Sequence, residues 1–225
     1  MRTIKIDNLI RSKRKTLHLK VSTDAKLTVR VPFNCSDEII RKFVQKHADW
    51  IIHRQNYAQE HCKPASPKQF VSGEEFLYIG KHYKLVISEV NDAPLTFDGL
   101  NFVLVANYLN NPRELFIRWY KQEAFKMISE RVRLYSSITG IRYHKTSITD
   151  AHHRWGSCSA KGNLNFTWSL IMAPLEVIDC VIVHELVHIK IKGHSKHFWQ
   201  KVREFVPKAD YCRVWLNENQ NLLAL

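Results

Sequence analysis

The sequence predicts an α+β fold, in which a β-rich N-terminal part precedes a mainly helical part that contains a small sheet. Runs of alternating apolar and polar residues, separated by glycine or proline, are typical of strands and dominate the first 106 residues. Beyond that point apolar residues recur mainly at helical spacing. This change of pattern predicts two domains, residues 1–106 and 107–225.

The N-terminal part is expected to begin with strands within residues 1–33. The basic run RSKRK, residues 11–15, lies between the first two of them and is expected at an exposed hairpin tip, with a phosphate contact as the less favoured alternative. Ser36 is a good N-cap and is expected to begin a helix. Residues 70–106 contain further strand patterns.

Three helices are expected in the C-terminal part. The longest covers about residues 113–139, with Pro112 near its start and Gly140 at its end. A second helix begins after Pro174, and Ser195 is expected to cap a third.

Residues 163–170 alternate apolar and polar side chains, which predicts a strand just before the second of these helices. Two interpretations of this predicted strand stay open. It is either an ordinary sheet strand, or an edge strand that offers its backbone to an extended peptide.

The chain has 225 residues, of which 45% are hydrophobic and 24% charged, as in a globular protein with a sizeable core. It contains no run of about 18 apolar residues, and no apolar stretch follows its charged N-terminus. We therefore expect a cytoplasmic protein without a membrane span. The five cysteines are scattered and form no C-x-x-C pair, which disfavours a disulfide framework or a cysteine-based zinc site.

The net charge of +13 is high for this length. Clustered cations would bind a polyanion such as DNA, because binding releases condensed counterions. Lysines scattered over the surface would only keep the protein in solution. Composition favours neither arrangement, so DNA is a possible partner.

The clearest chemical signal is the stretch HELVHIKIKGH, residues 184–194. On a helix, His184 and His188 project from one face, so both imidazoles can bind one Zn²⁺ at about 2.0–2.1 Å. Glu185 is rotated by about 100° from His184 and can reach a water at the metal rather than the metal itself. This is the H-E-x-x-H arrangement of two ligands and a general base. A core histidine pair is less favoured, because each buried polar group without a partner costs a few kcal/mol.

A catalytic zinc needs a third protein ligand and one open coordination position. Gly193 can reverse the chain so that His194 returns to the ion, at the separation from His188 found in the metzincin pattern. The glycine stands at a different position from that pattern, however, and no methionine follows residue 172. A metzincin Met-turn is therefore excluded. His197 is the competing third ligand, and spacing alone leaves both candidates open.

Two other chemistries are compatible with single features of the sequence. A nucleic-acid-binding protein with a structural zinc would use the basic charge, but its zinc would need a fourth protein ligand, and no local cysteine pair supplies one. Cys158 could act as a nucleophile if it contacted His152 or His153. A structural thiol is the favoured interpretation of Cys158.

The stretch that runs from RWGSC, residues 154–158, through HELVH to GHSKHFW closely resembles the signature of the YgjP-like metallopeptidases, which are relatives of the SprT-like zinc proteases. The segments RSKRKTLHLKVSTDAKLTVRVPF and FVSGEEFLYIGKHYKLVI are similar to the N-terminal half of that family, so the resemblance covers essentially the whole chain. It implies a zincin-like catalytic domain over residues 107–225. His153 departs from the basic residue that many relatives carry before Arg154.

The resemblance implies zinc-dependent hydrolysis of peptide bonds, in which Glu185 activates a zinc-bound water. It also implies one zinc ion per chain, held by His184, His188 and His194, and a protein or peptide as substrate. A SprT-like protease acting on DNA-bound proteins is the alternative within the same class. Residues expected to contact the substrate are Arg154, Trp155, Asn165 and Tyr211. Residues considered for stabilising the oxyanion are Arg154, Tyr211 and Arg213.

Overall fold

The computed structural model describes residues 4–22, 24–61, 67–90, 92–151, 154–223 and 225. The chain divides into two compact units, Met1–Ser66 and Pro67–Leu225. The described residues form six α-helices and three small sheets, each with parallel and antiparallel pairs. The α+β class predicted from the sequence is confirmed.

The first unit consists of a three-stranded sheet and two helices. The elements are β1 (Asn8–Ser12), β2 (His18–Val21), β3 (Leu27–Pro32), α1 (Asp37–Lys46) and α2 (Ala48–His61). Strand β3 lies in the centre, parallel to β1 and antiparallel to β2. Since β3 separates β1 from β2, the basic run at residues 11–15 ends one strand and continues into a connection. The hairpin predicted there is wrong.

Local sequence explains the core of this unit. Alternation in β3 buries Leu27, Val29 and Val31 completely on one face. The Ser36 side chain accepts a hydrogen bond from the backbone N–H of Ile39, so the predicted N-cap of α1 is confirmed. Ile40, one turn into α1, packs in the same core.

The second unit contains two sheets and four helices. The elements are β4 (Glu75–Tyr78), β5 (Lys81–Ser88), β6 (Leu95–Phe97), β7 (Asn101–Val105), α3 (Pro112–Thr139), β8 (Lys145–Thr149), β9 (Gly156–Cys158), β10 (Asn163–Thr167), α4 (Leu175–Lys190), α5 (Lys196–Phe205) and α6 (Ala209–Asn219). The strand orders are β4-β5-β7-β6 and β8-β10-β9. Gly140 ends α3 in the left-handed conformation, as the sequence predicts.

The sheet of β4 to β7 shares its core with α3. The ring of Phe76 stacks on Phe116 of α3 at 4.2 Å between centroids, and Phe102 lies 5.2 Å from the same ring. The boundary between the two units therefore lies between residues 66 and 67, whereas the sequence predicts a boundary between residues 106 and 107. The predicted position marks a change of secondary structure. It does not mark a change of core, because a small sheet needs a second layer to bury its apolar face.

The sheet of β8, β9 and β10 and the helix α4 form the part of the second unit that carries the candidate site. The segment predicted as a strand at residues 163–170 becomes β10 and a 3-10 turn, Trp168–Met172. Strand β10 lies in the middle of its sheet, so the edge-strand interpretation of this segment is wrong. The edge strand that packs against α4 is β9.

No helix in the described parts of the chain is both long enough and apolar enough to cross a membrane.

Candidate active site

Helix α4 and the turn that follows it bring three histidines together. His184 and His188 lie one turn apart on α4, and His194 returns to them from the connection to α5. The three Nε2 atoms lie 3.1 Å apart in every pair. Three nitrogens bound to one tetrahedral ion at about 2.0–2.1 Å are themselves roughly 3.3 Å apart. The triangle therefore fits a single metal ion.

Within the described residues, this is the one group of three or more histidine, cysteine or acidic side chains that could hold a metal. His197, the competing third ligand, is exposed and lies outside the group. The described residues offer no fourth protein ligand in this group. Such a set leaves one coordination position open, which is the arrangement of catalytic rather than structural zinc.

The connection after α4 explains why His194 reaches the other two. Helix α4 ends at Lys190, and Gly193 turns the chain with a φ of 77°. The Ser195 side chain then caps α5 by accepting a hydrogen bond from the Phe198 backbone N–H at 3.2 Å. The predicted cap at Ser195 is confirmed, and the turn at Gly193 lies between two well-defined helix ends.

Neighbouring groups fix the orientation of the imidazoles. Nδ1 of His188 lies 3.2 Å from the carbonyl oxygen of Ile191, to which it can donate a hydrogen bond. This bond leaves the lone pair of Nε2 directed at the centre of the triangle. The Phe198 ring stacks on His188 at 4.4 Å between centroids, and Trp199 lies 5.9 Å from His194 in a nearly parallel orientation.

The electrostatic environment keeps two of these histidines neutral. Burial, reinforced by His188 and His194, lowers the pKa of His184 to about 3. Burial also lowers the pKa of His188. Because only the neutral imidazole binds a metal, both side chains are ready to act as ligands at neutral pH.

Glu185 lies beside the triangle but is not part of it. The residue is 6% exposed, and it makes no hydrogen bond or ion pair with another described residue. Burial raises the pKa of its carboxyl to about 7, although the positive charge of Arg154 acts in the opposite direction. A carboxyl with a raised pKa at the wall of a cleft is typical of functional sites.

Strand β9 makes room for this carboxyl. A Cβ atom built on Gly156 would lie 2.7 Å from Cγ and 2.8 Å from Oε1 of Glu185. Gly156 has no positive φ, so the glycine serves this close approach rather than a turn. The sequence indicates only a turn at this position, although a glycine inside a strand often marks a close approach.

A cavity of about 410 Å³ opens next to the histidines and Glu185. Its walls come from the start of β9, from α4, and from α5 and α6. The lining residues are Trp155, Gly156, Cys180, Val181, His184, Glu185, His194, Trp199, Ala209, Arg213 and Leu216.

The structure places only some of the predicted substrate-contact residues at the cavity. Trp155 lines the cavity, and Arg154 is close enough to Glu185 to influence its pKa. Asn165 lies on the central strand β10 and donates a hydrogen bond to Ser157, and it does not line the cavity. Tyr211 is 49% exposed and also lies outside the lining. Among the oxyanion candidates, Arg213 does line it.

The partly buried position of Cys158 disfavours a role as an activated nucleophile. Burial raises the pKa of its thiol, which favours the unreactive protonated form. Its proposed partners, His152 and His153, lie outside the described residues.

One of the comparisons with known proteins identifies a family for the chain. A family model described as YgjP-like, metallopeptidase domain, matches residues 15–219. A solved structure, the metallopeptidase zymogen of Pyrococcus abyssi abylysin, is 20% identical and covers 40% of this chain and 90% of its own. Its TM-score of 0.37 is too low for a conclusion about fold or mechanism. No curated protein is significantly similar to the chain.

Proposed function

The chain belongs to the YgjP-like metallopeptidase family, and on this basis we propose that it hydrolyses peptide bonds with one zinc ion held by His184, His188 and His194. The observation that carries the proposal is the triangle of Nε2 atoms at 3.1 Å, with the buried Glu185 beside it.

The donor set favours zinc over other common ions. Three neutral imidazoles suit zinc, whereas magnesium and calcium prefer oxygen ligands. The aromatic rings of Phe198 and Trp199 pack against the histidines and keep them in place without adding a ligand. One open position then remains for substrate or water.

Glu185 is proposed as the general base and acid. When bound, the zinc supplies Lewis acidity, which polarises the scissile carbonyl and acidifies a water. The Glu185 carboxylate takes a proton from the attacking water and delivers it to the nitrogen of the leaving amine. Its lack of a partner among the described residues leaves the carboxylate free for both transfers.

Strand β9 is proposed to align the substrate backbone. It pairs with β10 on one side, packs against α4, and is an edge strand of its sheet. An extended peptide can add to such an edge by backbone hydrogen bonds, which would place its scissile bond near Glu185. The substrate contact therefore moves from β10, where the sequence suggested it, to β9.

A nucleic-acid-binding protein with a structural zinc is not favoured. Such a zinc site is closed by four protein ligands, whereas the described residues supply a group of three.

The test compares two glutamines introduced on the same helix. Glu185→Gln should retain zinc and its melting temperature but lose about 10²- to 10⁴-fold in the hydrolysis of denatured casein, because the proton acceptor is gone. Glu176→Gln is the matched control, since Glu176 lies in the first turn of α4 and pairs with the exposed Lys208. If Glu185→Gln is as active as Glu176→Gln, the assigned role of Glu185 is wrong.

A further inference from the structure

We propose that the cavity beside Glu185 receives a large apolar side chain of the substrate residue next to the scissile bond. This inference deepens the proposed peptidase function and rests on it. It assigns a substrate class that neither the motif nor the family match specifies.

The position of the cavity connects it to the reacting centre. Val181 and Cys180 line it one turn before His184 and Glu185, on the same side of α4. A peptide lying along β9 past Glu185 would therefore have a neighbouring side chain within reach of this opening. The volume of about 410 Å³ falls within the range of about 300–1,000 Å³ that is usual for binding pockets.

The inner part of the cavity is apolar and neutral. Val181, Ala209 and Leu216 are all at most 9% exposed. Burial raises the pKa of the Cys180 thiol strongly, so this group carries no charge at neutral pH. Glu185 is the one carboxylate among the described residues that line the cavity, and burying an unpaired lysine or arginine charge is unfavourable.

Among the described residues that line the cavity, the one arginine or lysine side chain, Arg213, is already engaged. The Arg213 guanidinium lies 5.2 Å from the centroid of the Trp199 ring and 3.5 Å from the Asp210 carboxylate. It therefore holds one aromatic wall in position rather than offering a free partner for an acidic substrate. Trp155 on the β9 side supplies a second aromatic wall. Aromatic and branched aliphatic side chains fit such a pocket best.

The experiment measures binding and therefore does not depend on turnover. The zinc-loaded full chain is titrated by calorimetry with hydroxamates that differ in one side chain: methyl, isobutyl, benzyl, carboxyethyl or aminobutyl. We expect the isobutyl and benzyl compounds to bind at least tenfold more tightly than the methyl compound, as extra apolar groups do in a hydrophobic pocket. The two charged compounds should bind no more tightly than the methyl compound.

A pair of matched variants locates the effect. Val181→Phe fills the cavity and should abolish the preference for isobutyl and benzyl while leaving zinc content unchanged. Val214→Phe makes the same change at a residue of α6 that is 47% exposed and does not line the cavity, so it should keep the preference.

The results distinguish a failure of the apolar pocket from a failure of the proposed peptidase function. Equal binding of all five compounds, or tightest binding of a charged one, overturns the apolar pocket and leaves the zinc peptidase standing. Failure to bind both zinc and every hydroxamate overturns the proposed function, and the pocket assignment falls with it.

Discussion

At the scale of single residues, the site depends on the missing side chain of Gly156. The backbone of β9 approaches Glu185 so closely that a methyl group would lie 2.7 Å from Cγ of the carboxylate side chain. In the proposed binding mode, the substrate backbone pairs with this edge of β9. We therefore propose that Gly156 is a positioning residue for Glu185.

Gly156→Ala should reduce kcat by about 10²-fold, because a displacement of about 1 Å in a catalytic group has an effect of that size. Zinc content should not change, since Gly156 contacts Glu185 and not the histidine triangle. Steady-state kinetics and elemental analysis of the variant provide the measurement.

A double-mutant cycle separates the contact with Glu185 from a general defect. Glu185→Asp shortens the side chain and creates space, so adding Gly156→Ala in that background should cost much less than it does alone. Equal losses of kcat in both backgrounds would show that Gly156→Ala does not act through the contact with Glu185.

At the scale of elements, an ion pair with α3 adds to the apolar packing that keeps α4 in place. Arg131 of α3 donates two hydrogen bonds to the Asp179 carboxylate of α4, at 2.7 and 2.5 Å. The Asp179 side chain is 10% exposed and that of Arg131 is 22% exposed. This ion pair anchors the first half of the helix that carries His184 and Glu185.

Asp179→Ala should lower the free energy of unfolding by about 3 kcal/mol, because it leaves the mostly buried Arg131 without its partner. Urea denaturation measures this loss. Asp150→Ala is the control, since it breaks the exposed Lys121–Asp150 pair and should cost at most about 1 kcal/mol. Equal losses in the two variants would mean that the Arg131–Asp179 pair stabilises the protein no more than the exposed Lys121–Asp150 pair does.

Elements with strong local signals could be predicted from the sequence. Ser36 marks a helix end by the hydrogen bond of its side chain, and Pro112 and Gly140 do so by their backbone conformation. The structure has helix ends at all three. The order of β1, β3 and β2, and the central place of β10, could not be predicted in this way. Strand neighbours are set by contacts between distant segments, which alternation within one strand does not encode.

The site was predictable to a similar degree. His184 and His188 follow from helical spacing, whereas spacing alone did not separate His194 from His197. The cavity is assembled from β9, α4, α5 and α6, so its lining becomes visible only in three dimensions. The sequence marks Gly156 only as a turn residue, and its close approach to Glu185 becomes visible only in the structure.

At the scale of the whole molecule, positive charge is unevenly distributed. Residues 1–66 contain 14 of the 34 lysines and arginines and 6 of the 21 acidic residues, so they carry +8 of the net +13. In the sheet of this unit, His18 lies opposite Arg30, and Lys20 lies two residues along the same face. The side chains of His18, Lys20 and Arg30 are exposed. Neither Lys20 nor Arg30 forms an ion pair with another described residue.

We propose that this sheet face binds DNA through its phosphates, and we test it by charge reversal. Lys20→Glu with Arg30→Glu should weaken the binding of a duplex oligonucleotide and lower the slope of log affinity against log salt by about 2. Lys126→Glu with Lys145→Glu changes the net charge equally in the second unit and should have a smaller effect. If both pairs weaken binding alike, net charge alone attracts the DNA.

The metal content of the purified full chain, measured by elemental analysis beside His194→Ala and His197→Ala, tests the central claim most directly. We predict about one zinc ion per chain in the parent and in His197→Ala, and a loss of zinc in His194→Ala. Zinc loss in His197→Ala alone would contradict the triangle of His184, His188 and His194. A parent chain that cannot be loaded with zinc would contradict the peptidase mechanism itself.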